Sequence, residues 1–200
     1  MKGPTDVNVH APALRRYGAG DAPALLDTLV DIWADAHTDD HAVTAAGFTP
    51  DALRRQITGH ARRDDFTLIT AYADGHPVGF GYGFRCTPTY WFGEALLPSI
   101  TLDARTTGAL AGICELAVRP TWQGRGIGAR VHTALLDALQ PEWASLLAMP
   151  GNDAAQRLYH RLGYRYAGPY RAGADGPLLD LLLLHRSVRA TERSLDHRQA

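Results

Sequence analysis

Lysine is nearly missing from these 200 residues: Lys2 is the only one, and every other basic side chain is arginine. A P-loop needs a lysine at its phosphates, and a pyridoxal enzyme needs one for its Schiff base. No internal position supplies it, so kinase, P-loop NTPase and pyridoxal chemistries lose their central residue. Cysteine is almost as scarce. Cys86 and Cys114 are too few for a secreted disulfide framework and form no closely spaced metal motif, so both read as reduced, buried thiols. No run of about 18 apolar residues is present, and the start MKGPTDVNVH lacks the apolar centre of a secretory signal. A cytoplasmic protein with no membrane partner is expected. Excess charge is also missing: a net charge of -1 gives no overall footprint for nucleic acid.

What is present is ordinary globular composition, 46% hydrophobic and 20% charged. The length matches a prior of about 100 to 200 residues per domain. The expected organisation is a flexible segment 1–10, one domain over 11–186 and a polar, disordered tail over 187–200. Charge is unevenly spread. Seven aspartates (Asp21, Asp27, Asp31, Asp35, Asp39, Asp40, Asp51) lie between Tyr17 and Leu53 with no Lys or Arg among them, whereas arginine recurs from Arg119 to Arg171. An acidic half suits a cationic substrate and a basic half an anionic cofactor, the alternative being solvated helix faces.

Along the chain, ALRRYG reads as a strand and DAPALLDTLVDIWADA as a helix, with Leu25, Leu29, Ile32 and Trp33 at helical spacing. Thr49-Pro50-Asp51 starts a second helix, threonine capping and proline fitting the first turn. Asp74-Gly75 joins two extended runs as a hairpin. In the second run Val78, Phe80, Tyr82 and Phe84 alternate with Gly79, Gly81 and Gly83, leaving one face bare for a helix or ligand. A long irregular stretch is expected from Thr87 to about Ala111. ICELAV then reads as a strand, a helix follows from about Gly126 to Leu139, ASLLAM is a strand, Asn152 to Leu162 a helix, and RYAGPYR and LLDLLLLH are two final strands.

Gln123-Gly124-Arg125-Gly126-Ile127-Gly128-Ala129 lies between strand and helix. Glycines let the backbone approach a bound group, and the first amides of a helix, with its dipole, attract an anion of pyrophosphate size. Tight packing alone is the bland alternative. Gly124, Gly126 and Ala129 also fit the dinucleotide pattern G-x-G-x-x-A, but Arg119 to Trp122 separate them from the strand and ASLLAM ends without the acidic residue a ribose needs.

The region CELAVRPTWQGRGIGARVHTALL, followed by MPGNDAAQRLYHRLGY, resembles the GCN5-related N-acetyltransferase (GNAT) superfamily. QGRGIG matches its pyrophosphate loop, and Asn152, Ala155, Tyr159 and Gly163-Tyr164 match its later Asn-containing helix and the following strand. The resemblance implies an α/β (α+β) fold, the acyl-CoA N-acyltransferase fold, with a mixed six- to seven-stranded sheet flanked by about four helices. It implies that ICELAV and ASLLAM splay so that pantetheine enters between them and pairs with backbone around Leu116, Ala117 and Val118. Acetyl-CoA is the implied co-substrate, with no metal. Its binding residues would be these three, Gln123 to Ala129, Asn152, Ala155 and Tyr159.

Attack of an amine on a thioester needs a base, a dipole for the oxyanion and an acid for the thiolate. Tyr159, on the inward helical face, is the implied acid, its alternative being a core aromatic. Asn152 either meets pantetheine or caps its helix. Glu115 is the first choice of base, its alternative a salt-bridged strand residue; a glutamate on the next strand, used by some relatives, is missing. His37 and His41 share metal-like spacing without the glutamate of a zinc-protease motif. They line an acceptor site more readily, together with Asp39, Asp40 and Trp33, because the first two helices of this superfamily commonly help build it, the default alternative being a solvated loop. Tyr90, Trp91, Phe92 and Glu94 either form the opposite wall or plug a gap in the core. The partner expected is a small-molecule amine, cationic on the strength of the aspartates, or second a peptide amino terminus. Homodimerisation is left open, as are a CoA-binding module without turnover and a nicotinamide-dependent oxidoreductase.

Overall fold

A computed structural model describes residues 11–38, 40, 43, 45–171 and 176–186. The expected segments 1–10 and 187–200, with Asp39 and His41, lie outside the described residues. Seven strands form one mixed sheet: β1 (Ala13–Tyr17), β2 (Thr67–Ala73), β3 (His76–Cys86), β4 (Leu110–Val118), β5 (Trp143–Ala148), β6 (Arg165–Arg171) and β7 (Leu178–His185). Their spatial order is β1-β2-β3-β4-β5-β7-β6, antiparallel except where β4 and β5 run parallel. Among the described residues the helices are α1 (Ala22–Ala36), α2 (Pro50–His60), α3 (Pro88–Leu96), α4 (Leu102–Thr106), α5 (Ile127–Leu139) and α6 (Asp153–Arg161).

Local chemistry accounts for the boundaries. Thr49 accepts a hydrogen bond from the Ala52 amide and Pro50 fits the first turn, together starting α2. Asp74 and Gly75 both take positive φ, as a two-residue hairpin between β2 and β3 requires. The same capping signal corrects one expectation. Thr87 accepts from the Tyr90 amide ahead of Pro88, so the stretch after β3, expected to be irregular, holds α3, kinked at Gly93, and then α4.

The sheet separates two packed layers. On one face Leu29, Ile32 and Trp33 of α1 and Leu53 and Ile57 of α2 bury Phe80 and Tyr82. On the other, Val131, Leu135 and Leu139 of α5 bury Ile69, Ala111 and Ile113. The bare face of β3 serves this second layer: a Cβ added to Gly81 would lie 3.1 Å from Val131 and from Leu116. At the end of the sheet remote from the glycine loop, Phe92, Ile100 and Ala104 cover Leu110 and Leu181. Cys86 and Cys114 are free and partly buried as residues, and burial raises both thiols. No described helix is long and apolar enough to cross a membrane.

Candidate active site

The site begins where two strands part. β4 and β5 pair only from Leu110–Trp143 to Ile113–Leu146, so the last residues of β4 have no neighbour on that side. The β3 register moves from Tyr82–Glu115 to Gly83–Ile113, leaving Cys114 as an extra residue in β4. Such a bulge re-aims the side chains after it. Ile113 packs under α5, and plain alternation would send Glu115 the same way. Instead Cys114 packs toward α1, and Glu115 lies close enough to the Trp33 indole of α1 for the indole to favour its charged form. Beyond it Leu116 and Val118 return to the α5 layer and Ala117 to the α1 layer.

The bulge also sets the backbone. The Arg119 amide donates to Val78 O across to β3. By alternation the amides and carbonyls of Leu116 and Val118 face the gap. Side chains occupy two of those groups: Glu115 Oε1 accepts from the Leu116 amide at 3.2 Å, and Gln123 Nε2 donates to Val118 O at 2.9 Å.

The glycine loop closes one end. Gly124 and Gly126 take left-handed φ of 72° and 75°, which permits the tight entry into α5. The first bond of that helix runs from the Arg130 amide to Gly126 O, so the amides of Ile127, Gly128 and Ala129 have no partner within it. Neither a capping side chain nor an acidic residue stands in its first turn. Facing it, Asn152 caps α6 by accepting from the Ala155 amide at 3.1 Å. Between them lies a cleft of about 500 Å³. Of the expected cofactor residues, Leu116, Ala117, Val118, Asn152, Ala155, Tyr159 and the loop line this cleft, except Arg125, whose guanidinium stacks over Trp122 at 4.8 Å. Arg157 and Arg161 also line it, as do His37 and Asp40. Sequence reasoning missed both arginines, although their i, i+4 spacing places them on one side of α6. A larger open hollow of about 820 Å³ lies over β6 and β7, away from the loop.

Two groups in and beside the cleft have perturbed proton affinities. Burial pushes the Glu115 carboxyl up to about 7, against the opposing effect of the Leu116 amide and the Trp33 indole. A carboxylate poised there suits proton transfer near neutrality. Burial, with the Glu115 charge adding to it, raises Tyr159, whose hydroxyl therefore stays protonated. Behind Tyr159, its ring meets Tyr164 edge-on at 5.7 Å, and Tyr164 OH bonds His132 Nε2 at 3.0 Å. Burial lowers His132 to about 4, so this support is neutral at pH 7.

The acceptor residues fare differently. His37 lies against the Trp33 ring, centroids 4.4 Å apart, and its Nδ1 bonds Trp33 O at 2.8 Å. Asp27 pairs with Arg54, Asp31 and Asp35 pair with Arg119 at 2.6 and 2.9 Å, and Asp21 accepts from the Gly18 amide. Most of the acidic run is thus spent within the fold. The aromatic segment is not brought to the cleft. Trp91 fills the space above Gly112, Phe92 is core, Tyr90 packs on Phe84 and under Arg63, and Glu94 is exposed on the same helix. Of the two uses open to these four residues, Trp91 and Phe92 serve as plugs.

Comparison with known proteins agrees with this geometry. The model of the acetyltransferase (GNAT) family matches residues 26–164. A phosphinothricin N-acetyltransferase of Streptomyces coelicolor is 29% identical over 133 residues, 62% of this chain and 66% of that protein, so the chain spans just under two thirds of that relative's length. Similar solved structures include a polyamine N-acetyltransferase of Drosophila melanogaster (TM-score 0.63, 16% identity, 88% of this chain and 100% of that one). Another is the PaiA N-acetyltransferase of Thermoplasma acidophilum in complex with coenzyme A (TM-score 0.57, 11% identity, 88% and 100%). At these identities the two structures share its fold.

Proposed function

The chain belongs to the acetyltransferase (GNAT) family, and on that premise we propose that it is an N-acetyltransferase moving an acetyl group from acetyl-CoA to the primary amine of a small molecule, by direct attack in a ternary complex. The observation that carries this reading is the unpaired end of β4 between the glycine loop and a carboxylate held near neutrality. These residues fit the co-substrate: the amides of Ile127, Gly128 and Ala129 suit its pyrophosphate, and the free edge of Leu116 and Val118 suits its amide-bearing arm.

In this reading the cofactor enters from the α5–α6 side and the acceptor from the α1 side. Glu115, through water, takes the proton of the incoming amine. The Leu116 amide lies nearest to Glu115 among those facing the gap and meets the developing oxyanion. As the new C–N bond forms and the C–S bond breaks, Tyr159 gives its proton to the departing thiolate. His37 and Asp40 border the acceptor's path. A cationic acceptor rests on Glu115 rather than on the acidic run, since Arg119 and Arg54 already neutralise three of its aspartates.

Thermal unfolding with acetyl-CoA, CoA, NADH and NADPH tests the cofactor, because a ligand of the folded state raises the midpoint. Stabilisation by acetyl-CoA and CoA alone is expected, and stabilisation by a nicotinamide cofactor alone, or by none, would sink the reading. Thiol release is then measured with polyamines, phosphinothricin and peptides bearing free amino termini.

A further inference from the structure

The free edge of β4 is already in use. Its Leu116 amide is held by the carboxylate of Glu115, the preceding residue, and its Val118 carbonyl by Gln123. A strand-like ligand added to this edge needs those same groups. It cannot use them while the side chains hold them.

We propose that Glu115 stands in for the cofactor on β4 of the free protein and that acetyl-CoA displaces it: the ligand takes the Leu116 amide, and the released carboxylate, on the Trp33 side of the strand, turns to the acceptor as its base. This deepens the acetyltransferase reading and rests on it. Trp33 is then a positioning residue, acting only through Glu115. The base becomes available when the acetyl donor is in place, which favours acetyl-CoA binding before the amine.

The consequence is a linkage between protons and cofactor. Losing the Leu116 donor makes the carboxylate hold a proton more tightly, and by reciprocity the protonated form must bind acetyl-CoA better. Other ionisable groups near Glu115 are Tyr82 from β3, Cys114 beside it, Tyr159 from α6, and His37 and Asp40 at the cleft. Burial raises the first three, which stay protonated through neutral pH. His37 and Asp40 remain in a Glu115→Ala variant, so any effect of theirs survives there.

Acetyl-CoA affinity is measured by calorimetry at pH 6, 7 and 8. With a tenfold gain in proton affinity on binding, wild type should bind about fivefold tighter at pH 6 than at pH 8. Glu115→Ala should lose that dependence and bind at pH 8 more tightly than wild type, the competitor being gone. Trp33→Phe keeps the ring and removes the donor. It should move the acid limb of kcat/KM for the amine to higher pH and leave the KM for acetyl-CoA little changed. A Glu115→Ala protein that binds no tighter than wild type, or a Trp33→Phe profile that stays in place, overturns the displacement. Failure of wild type to bind acetyl-CoA would instead remove the acetyltransferase reading itself.

Discussion

The α5 side of β4 and its α1 side do different work with different materials. On the α5 side the groove consists mainly of backbone: unpaired amides at the start of α5, left-handed glycines and a strand edge without a neighbour. On the α1 side everything turns on single side chains, and their roles depend on partners far away in sequence. Glu115 has its proton affinity raised by burial against the opposing effect of the Leu116 amide and the Trp33 indole, while Asp31 and Asp35, on the same helix as Trp33, are taken by Arg119. Anion binding by backbone survives many sequence changes nearby. A carboxylate's function changes with one neighbour.

The largest test of this contrast is Glu115→Gln. It should cut kcat by about 10²- to 10⁴-fold, the usual contribution of a general base, while acetyl-CoA still binds. Steady-state rates beside binding isotherms separate the two sides of β4. The same substitution has a stability signature. Glu115 in the fold holds its proton up to about 7, well above its ordinary value of 4.5, so between those values the folded state binds more protons and stability falls as pH rises. Removing the carboxylate should therefore raise Tm at pH 8 more than at pH 5. In wild type saturated with acetyl-CoA, activity should climb as pH rises above about 7, the value Glu115 holds before the cofactor displaces it.

Tyr159→Phe comes next, with a fall in kcat of about 10²-fold expected from loss of an acid, and acetyl-CoA affinity held by the unchanged ring. A poor thiolate leaving group should suffer more than a good one, which acyl donors of graded thiol acidity would read out.

On the backbone side Gly126→Ala is the sharper probe. No atom lies within 4 Å of a Cβ added there, so the cost is the left-handed φ alone, about 1 to 2 kcal/mol. Roughly a tenfold weaker acetyl-CoA affinity or a matching loss of stability should follow, with the pH profile of wild type preserved. A shifted profile would show that the two sides are coupled through the loop.

The smallest effect is expected from Arg119→Ala. Two partly exposed ion pairs contribute about 0.2 to 1 kcal/mol each, so Tm should fall by a few degrees with kcat unchanged. If KM for cationic amines also fell, the freed Asp31 and Asp35 would belong to the acceptor's path after all.

The glycine loop, its flanking strand and helix, the caps at Thr49 and Asn152 and the Asp74-Gly75 hairpin were legible in sequence because each depends on residues within a few positions of one another. Thr87-Pro88 carried the same capping signal as Thr49-Pro50, and its helix was still missed, since the aromatic residues after it do not repeat at a clear period. Sequence by itself determined the fold class, the glycine turn that enters α5 and the loss of lysine chemistry. Strand alternation sets Glu115 with Ala117 and apart from Leu116 and Val118, but only tertiary structure decided that this shared face meets α1, because one extra residue in β4 breaks the alternation from Ile113 and is visible only against β3. It likewise decided that Trp33 meets Glu115, that Arg119 absorbs two aspartates more than eighty residues away, and that Trp91 fills the space over Gly112. Charge and hydrogen bonding act through space, and a chain folded into a sheet brings together groups whose spacing along the sequence carries no trace of the contact.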